Sequence, residues 1–504
     1  MNRGYRIVLT VDRTLMAAYT LLLDGMGAAS QTTFTPGAIM TGILARPVAY
    51  DGAGRAAVAP LGLRRIEAAL LRAGYGAEEV AIVPPEALER AIGPETKVIG
   101  VSSGDPLGLG MNSTTMTGIF GGRPHTSSQF QKLMGKLRRI TAGAGSAAQL
   151  IVGGPGAWQL VGDEAACRRL GIDHVIAGYC EENVGEIFRR MAAGEEMPLV
   201  LEGRGPAAAE VPPVVGATVM GMVEASRGCG WGCQFCTLSR EPMGHLPVET
   251  ILADVETNLR AGVRNISLGS EDIFRYGAGP GERVAPGRLI DLLRRVRGLD
   301  GVRTLAIDHA NVASVAQFSD AELAEVQRLV SGGAAGALVW MNLGVETASG
   351  RLLAANGGAV KMKPFAPEEW GEVCLTQVRR LCRHGFLPMA SLVIGLPGET
   401  AEDTEKTLRW VESLSDERVS VVPVFHTAVT AKGGRIAAGE VTRRQWEVFD
   451  RALGLTFRWM PGLYWQHHGA AGVAMWRRVL MQVFGRFYAP CWKFLVRRRR
   501  RKAR

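Results

Sequence analysis

The run Ser226-Arg-Gly-Cys-Gly-Trp-Gly-Cys-Gln-Phe-Cys236 governs how the rest of this 504-residue chain is read. Its cysteines, Cys229, Cys233 and Cys236, follow a C-x3-C-x2-C spacing. That spacing sets three thiols on one short loop, close enough to hold three corners of an iron–sulfur cube. Four irons and three ligands leave one iron open to a substrate or cofactor, whereas a closed structural site brings four ligands. Gly228, Gly230 and Gly232 let the backbone fold where side chains would collide. A zinc site lacking its fourth ligand, or three unrelated cysteines, are the alternative readings.

Downstream of the loop the pattern is regular. A strand over 218–224 delivers the cysteines at its carboxyl end. Strands are then expected at 265–268, 303–307, 339–343, 390–394 and 421–425, separated by amphipathic helices at 248–261, 289–296, 321–330, 368–384 and 401–414. Six such units over 217–430 describe a partial (β/α)6 barrel, whose chemistry belongs at the carboxyl ends of its strands. Those ends carry Gly269-Ser-Glu-Asp272, Asp308-His-Ala-Asn311, Gly344-Val-Glu-Thr-Ala-Ser349 and Ile394-Gly-Leu-Pro-Gly-Glu-Thr400. Read singly, each acid is as well explained as a helix cap or a surface charge.

Upstream, residues 1–200 alternate short apolar strands (6–11, 80–83, 96–102, 149–152, 174–177) with helices at 61–73, 127–140 and 182–192. This is the pattern of a doubly wound, Rossmann-like parallel sheet. Ligands of such sheets bind at strand carboxyl ends. Here these are Ser102-Ser-Gly-Asp-Pro-Leu-Gly108 and Gly153-Gly-Pro-Gly156, small enough for a large flat ligand to approach the backbone. A Pro-, Gly- and Ala-rich linker occupies 201–216. Residues 431–504 form a small helical C-terminal region. Val473, Trp476, Val479, Leu480, Val483, Phe484 and Phe487 recur there at helical steps before a polybasic end, while Trp459, Tyr464, Trp465, His467 and His468 are expected to close the barrel mouth.

Net charge is +10, but the seven cations of 497–504 leave only +3 for the remainder, so the basicity is local. No run reaches ~18 apolar residues, which argues against a membrane-spanning helix. The first residues do not look like a signal peptide, and with the oxygen-sensitive loop this predicts a reduced, cytoplasmic setting. Cys167, Cys180, Cys374, Cys382 and Cys491 show no metal spacing.

The cysteine run, with Phe235 before its third cysteine, resembles the signature of the radical S-adenosylmethionine (SAM) superfamily. The resemblance implies a [4Fe–4S] cluster on Cys229, Cys233 and Cys236, its open iron chelated by SAM, and reductive cleavage of SAM to a 5′-deoxyadenosyl radical. It further implies that Gly269, Ser270 and Glu271 hold the methionine amino group, that Glu346 and Ser349 lie near ribose and carboxylate, and that Gly395 turns under the adenine. His309 is a candidate catalytic residue, with a structural histidine as the alternative. Pro60-Leu-Gly-Leu63 and the Gly153 loop make the N-terminal domain similar to the cobalamin-binding domain of the B12-dependent radical SAM class, implying cobalamin beside Ser102, Ser103, Asp105, Gly153 and Gly154. The D-x-H-x-x-G motif that places a histidine under cobalt is absent.

The implied function is a cobalamin-dependent radical SAM C-methyltransferase acting on an unactivated sp3 carbon. The look of Ser102–Gly110 is similar to archaeal members of the class, which act on a glutamine of methyl-coenzyme M reductase or on membrane lipids. Cyclisation of a lipid or tetrapyrrole is the alternative reaction. A methylthiotransferase is disfavoured, since residues 1–200 offer no second cysteine trio. Expected partners are a ferredoxin- or flavodoxin-type electron donor and a protein or lipid substrate. The basic tail suggests peripheral membrane contact, against the plainer reading of a helix packed on the barrel. It brings no aromatic stacking platform for nucleic acid.

Overall fold

The computed structural model describes residues 3–239, 241–279, 281, 283–429 and 434–503. Met1, Asn2, the expected 430/431 boundary and Arg504 of the basic run lie outside them.

Six strands make the first sheet: β1 (Ile7–Val11), β2 (Val80–Ile82), β3 (Val98–Ser102), β4 (Gln149–Gly153), β5 (His174–Ala177) and β6 (Val200–Glu202). Their order is β2-β1-β3-β4-β5-β6, and every pairing is parallel. The run Ile-Val-Leu-Thr-Val of β1 is buried throughout because both faces are covered, with the Thr10 hydroxyl satisfied by the Val83 carbonyl. Leu9, Val11, Leu70 and Phe188 pack on one face, and Val8, Phe130, Leu137 and Val152 on the other. The order reverses between β1 and β3, which opens a crevice outside Val11 and Ser102. The sixth strand begins at Val200 and runs to Glu202, into the expected linker. The stretch after it is anchored by Val211 and Val214, both buried.

The second unit contains β7 (Met222–Glu224), β8 (Ser226–Arg227), β9 (Gly244–His245), β10 (Asn265–Gly269), β11 (Thr304–Ile307), β12 (His309–Asn311), β13 (Val339–Glu346), β14 (Phe386–Ile394) and β15 (Ser420–Phe425). Parallel stretches β11-β10-β7 and β12-β13-β14-β15 form the barrel wall, while antiparallel β8 and β9 clip the cysteine loop. The strands β11 and β12 are separated by Asp308 alone. The chain pairs with β10 before that residue and with β13 after it. Along β13, Met341, Leu343 and Val345 are buried under the helices, whereas Asn342, Gly344 and Glu346 are only partly covered, the two-residue alternation of a strand.

The two units are locked together. Arg65, on the helix Leu61–Arg72, reaches Asp254 Oδ2 at 2.6 Å, the Pro212 carbonyl at 2.7 Å and Glu224 at 3.4 Å. Residues 12–60, an excursion after β1, bring Leu22 and Leu23 against Trp340, Leu387, Met389 and Leu463.

The C-terminal region is two 28-residue helices, Arg443–Ala470 and Met475–Lys502. The aromatic and histidine cluster expected over the mouth lies on the first of these, at the opposite end of the barrel. His467 Nε2 is 2.8 Å from the Leu338 carbonyl, just ahead of β13, and His468 Nε2 is 2.7 Å from Asp24 Oδ1. Trp459, Met460, Leu463 and Tyr464 recur on one helical face, and that face meets the apolar residues at the strand starts.

Candidate active site

The cysteine loop follows β8. Gly228 has φ +72°, and a Cβ there would stand 2.3 Å from the Pro242 carbonyl oxygen, so only glycine lets the strand turn beside that backbone. Cys229 N donates to Glu241 O and Gly232 N to Ser239 O, both at 2.9 Å. Ser239 Oγ donates to Cys233 O at 2.6 Å and to Cys236 O at 2.9 Å. Gln234 N donates to Asn356 O at 3.0 Å. Arg275, 4.0 Å over the Trp231 ring, donates to Cys229 O at 3.0 Å. The loop is therefore held by backbone bonds that leave all three sulfurs uncommitted.

Burial pushes the Cys229 thiol up to about 12 and Cys233 up to about 11, and raises Cys236, with the Lys361 ammonium opposing it in each case. Such thiols stay protonated at neutral pH until a bound metal displaces their protons.

Facing the loop is a charged network. Lys361 donates to Glu346 Oε1, and Ser391 Oγ donates to Glu346 Oε2 at 3.2 Å. Glu346 holds φ +66°, a left-handed conformation costly for a residue with a Cβ, so the fold imposes the position of this carboxylate. Burial raises the Glu271 carboxyl, and the imidazole of His309 draws it back. His309 Nδ1 lies 3.0 Å from Asp308 Oδ1. Partial burial would lower its pKa, but Asp308, by charge and hydrogen bond, with Glu271 and Glu346 by charge, lifts it to about 9. Glu271, His309, Asp308 and Glu346 thus share one field beside the cysteines.

Other expected site residues hold backbone. Ser270 Oγ accepts from Asp272 N at 3.2 Å. Ser349 caps the helix Gly350–Leu353 and donates to Asp403 Oδ1 at 2.6 Å. Gly395, at φ +81°, donates its N–H to Glu399 Oε2 at 2.6 Å. Gly269 closes β10. In the first unit the two strand-end loops zip together: Ser103 N donates to Gly153 O at 3.0 Å, and Gly156 N to Ser103 O at 2.8 Å. A Cβ on Gly154 would lie 2.5 Å from Ser102 Oγ. Asp105 Oδ1 accepts from Gly110 N at 3.2 Å and from Gln159 Nε2 at 2.5 Å.

The carboxyl-end loops of the two sheets meet each other. Glu181, just after β5, takes an ion pair from Arg227 at 3.0 Å, and Arg227 lies 4.4 Å over the Tyr179 ring. On the other side Thr115 Oγ1 accepts from Phe425 N at 2.6 Å, and Thr114 and Thr427 hydroxyls stand 3.1 Å apart. Glu181 Oε2 and Arg227 Nη1 are buried without a partner among the described residues, an arrangement that suits a polar ligand held between the sheets.

Sequence reasoning missed Lys361, Arg227, Glu181 and Tyr179. Arg227 carried a signal, standing two residues before the first cysteine. Lys361 carried none, because its short helix, Ala359–Met362, is brought to the cysteines only by the turn at Asn356 and Gly357.

Residues 223–411 match the Radical SAM superfamily. The chain is 27% identical across 201 residues to the ribosomal protein uS12 methylthiotransferase RimO of Anaeromyxobacter sp. (strain K), covering 40% of this chain and 39% of that protein. It is 26% identical across 206 residues to the tRNA-2-methylthio-N(6)-dimethylallyladenosine synthase of Magnetococcus marinus, covering 40% and 44%. The match thus spans about two-fifths of these relatives' length. Among solved structures, the radical SAM methyltransferase TsrM from Kitasatospora setae, with cobalamin and a [4Fe-4S] cluster bound, aligns at TM-score 0.53 and 16% identity over 85% of this chain and 74% of that one. The same enzyme with tryptophan and a SAM analogue aligns at TM-score 0.52. At such identity the likeness is one of fold, and it extends well beyond the barrel.

Proposed function

We propose that this chain is a cobalamin-dependent radical SAM methyltransferase that places a methyl group on an unactivated sp3 carbon. The observation that carries the reading is the facing of two sheet ends: a doubly wound sheet of order β2-β1-β3-β4-β5-β6 abuts a barrel whose mouth holds three uncommitted cysteines. When bound, the cluster with SAM supplies hydrogen-atom abstraction from unreactive carbon, and cobalamin supplies the methyl group.

In this reading Cys229, Cys233 and Cys236 ligate the cluster, releasing their protons as they do so. The Glu271 carboxylate takes the methionine ammonium through charge-assisted hydrogen bonds. Glu346, aimed by Lys361 and Ser391, accepts from the ribose hydroxyls. Gly269, Ser270, Ser349 and Gly395 set the backbone that carries these groups. Ser102, Ser103, Asp105, Gly153 and Gly154 on the zipped loops, with Tyr179, Glu181 and Arg227 toward the barrel, would hold the corrinoid. His309, protonated at neutral pH and exposed at the mouth, donates a proton or hydrogen bond to the substrate. The protein's work is to hold reactants in line and keep out water. Partners are a low-potential ferredoxin- or flavodoxin-type donor and a protein or lipid substrate.

The two named relatives are methylthiotransferases, and against that reaction stands the scatter of the remaining cysteines: Cys167, Cys180, Cys374, Cys382 and Cys491 are each buried or half-buried and unpaired, with no second C-x3-C-x2-C run in the sequence.

The test is anaerobic reconstitution with iron, sulfide, cobalamin, SAM and reductant, followed by mass spectrometry. Formation of both 5′-deoxyadenosine and S-adenosylhomocysteine, each lost in Cys233→Ala, is expected. Deoxyadenosine alone would move the reading to cyclisation, and neither product from a loaded protein would refute it.

A further inference from the structure

The last helix, Met475–Lys502, has two apolar faces, and the body of the protein uses one. Met481 and Phe484 pack against the excursion after β1, while Tyr488, Trp492 and Val496 pack on Phe120 and the barrel helices. On the other side Trp476, Val479, Val483, Phe487 and Phe494 are 66%, 47%, 60%, 74% and 65% exposed. Their spacing, three, four, four and then seven residues, places them on one stripe of a 3.6-residue helix, running about 27 Å along its axis. An exposed apolar band of that length marks an interaction surface.

The charge on this helix is all of one sign: ten Lys or Arg residues and no Asp or Glu. Arg497 and Arg500 pair with Asp450 and Glu447 on the neighbouring helix. Arg486, Arg498, Arg499, Arg501 and Lys502 meet no acidic partner among the described residues. Several of these cations rim a groove of about 940 Å³ between the last two helices, with Phe457 and Phe494 in its lining and Arg486, Lys493, Arg498 and Arg501 around it.

We propose that this face is a docking surface for a bilayer containing anionic phospholipids, with the stripe from Trp476 to Phe494 seated at the acyl boundary and the basic groove taking lipid phosphates. A bilayer offers an apolar slab and a negative surface together, the two things this face presents complements for. A second copy of the chain would set Arg486, Arg498, Arg499, Arg501 and Lys502, none with an acidic partner among the described residues, against the same five cations. Nucleic acid would meet the cations and leave the stripe in water. No helix among the described residues is long and apolar enough to cross a membrane, so the helix lies along the interface. The inference rests on this surface alone and stands or falls separately from the catalytic reading.

Vesicle flotation of the full chain tests it, with phosphatidylcholine alone and with added phosphatidylglycerol. Binding to the anionic vesicles, weak binding to neutral ones and release by high salt are expected. Trp476→Asp combined with Phe487→Asp should lower partitioning at least about tenfold, and Arg486→Gln and Arg501→Gln about fivefold each. These positions are exposed, so thermal midpoints should match the parent, and the arginine pair gives an independent check if the aspartates disturb folding. The proposal is overturned if the parent chain does not float with anionic vesicles, if it binds both vesicles equally, or if Phe487→Asp dissolves a dimer without changing flotation.

Discussion

Replacing Lys361 by Met removes the cation that faces Glu346 inside the barrel mouth. The two side chains are 9% and 12% exposed, so water can do little to replace the lost partner. Methionine preserves the length and apolar stem, which confines the change to charge. Glu346 would keep only the Ser391 hydroxyl at 3.2 Å. Breaking one side of a buried pair costs about 3–5 kcal/mol, and the surviving hydrogen bond places this case near 3 kcal/mol. Lys361→Met should therefore loosen β13 and β14 by about that amount. A chain with two units does not unfold in one step, so the measurement is hydrogen-exchange protection of β13 and β14. A fall of about 100-fold at pH 8 is expected. Glu346→Gln in the same chain should restore most of it. Protection within about 0.5 kcal/mol of the parent at pH 8, or a double variant no better than the single, would refute the coupling.

Three further outcomes follow from the geometry. Gly228→Ala sets a Cβ 2.3 Å from the Pro242 carbonyl at φ +72°, so the loop must open; the chain should fold yet bind far less iron and sulfide on reconstitution, and full loading would disprove the role of this turn. Arg65→Met strands Asp254, which is fully buried, at a cost of about 3–5 kcal/mol. It should expose 203–216 to protease, and an unchanged digestion pattern would count against the clamp. The His309 imidazole, raised to about 9 from the usual 6.5, contributes stability that is complete below pH 6.5 and drains as pH rises through 9. With the side chain 46% exposed the contribution is screened to about 1 kcal/mol. His309→Gln should flatten that part of the stability profile, and parallel curves for parent and variant would remove Asp308 as its partner.

Much of this was legible in the residues alone, for a physical reason. Apolar runs buried on both faces, amphipathic helices between them and cysteines three and two residues apart are local patterns, and local patterns survive in one dimension. The loop of Cys229, Cys233 and Cys236, the alternation of strands and helices on both sides of it, and the acids Glu271 and Glu346 at strand ends all belong to that class. The reading failed where a helix had more than one face to offer: the cluster around His467 and His468 was assigned to the mouth, yet its apolar side seats at the strand starts, and the C-terminal stripe proved to be two faces, one buried and one bare. Periodicity tells that a face is apolar but not what meets it. Lys361 on Glu346, Arg65 across the two units and Arg227 on Glu181 depend on contacts between residues 15 to 189 apart in the chain. Their energies come from burial and pairing in three dimensions, and nothing in their neighbours along the chain encodes the partner.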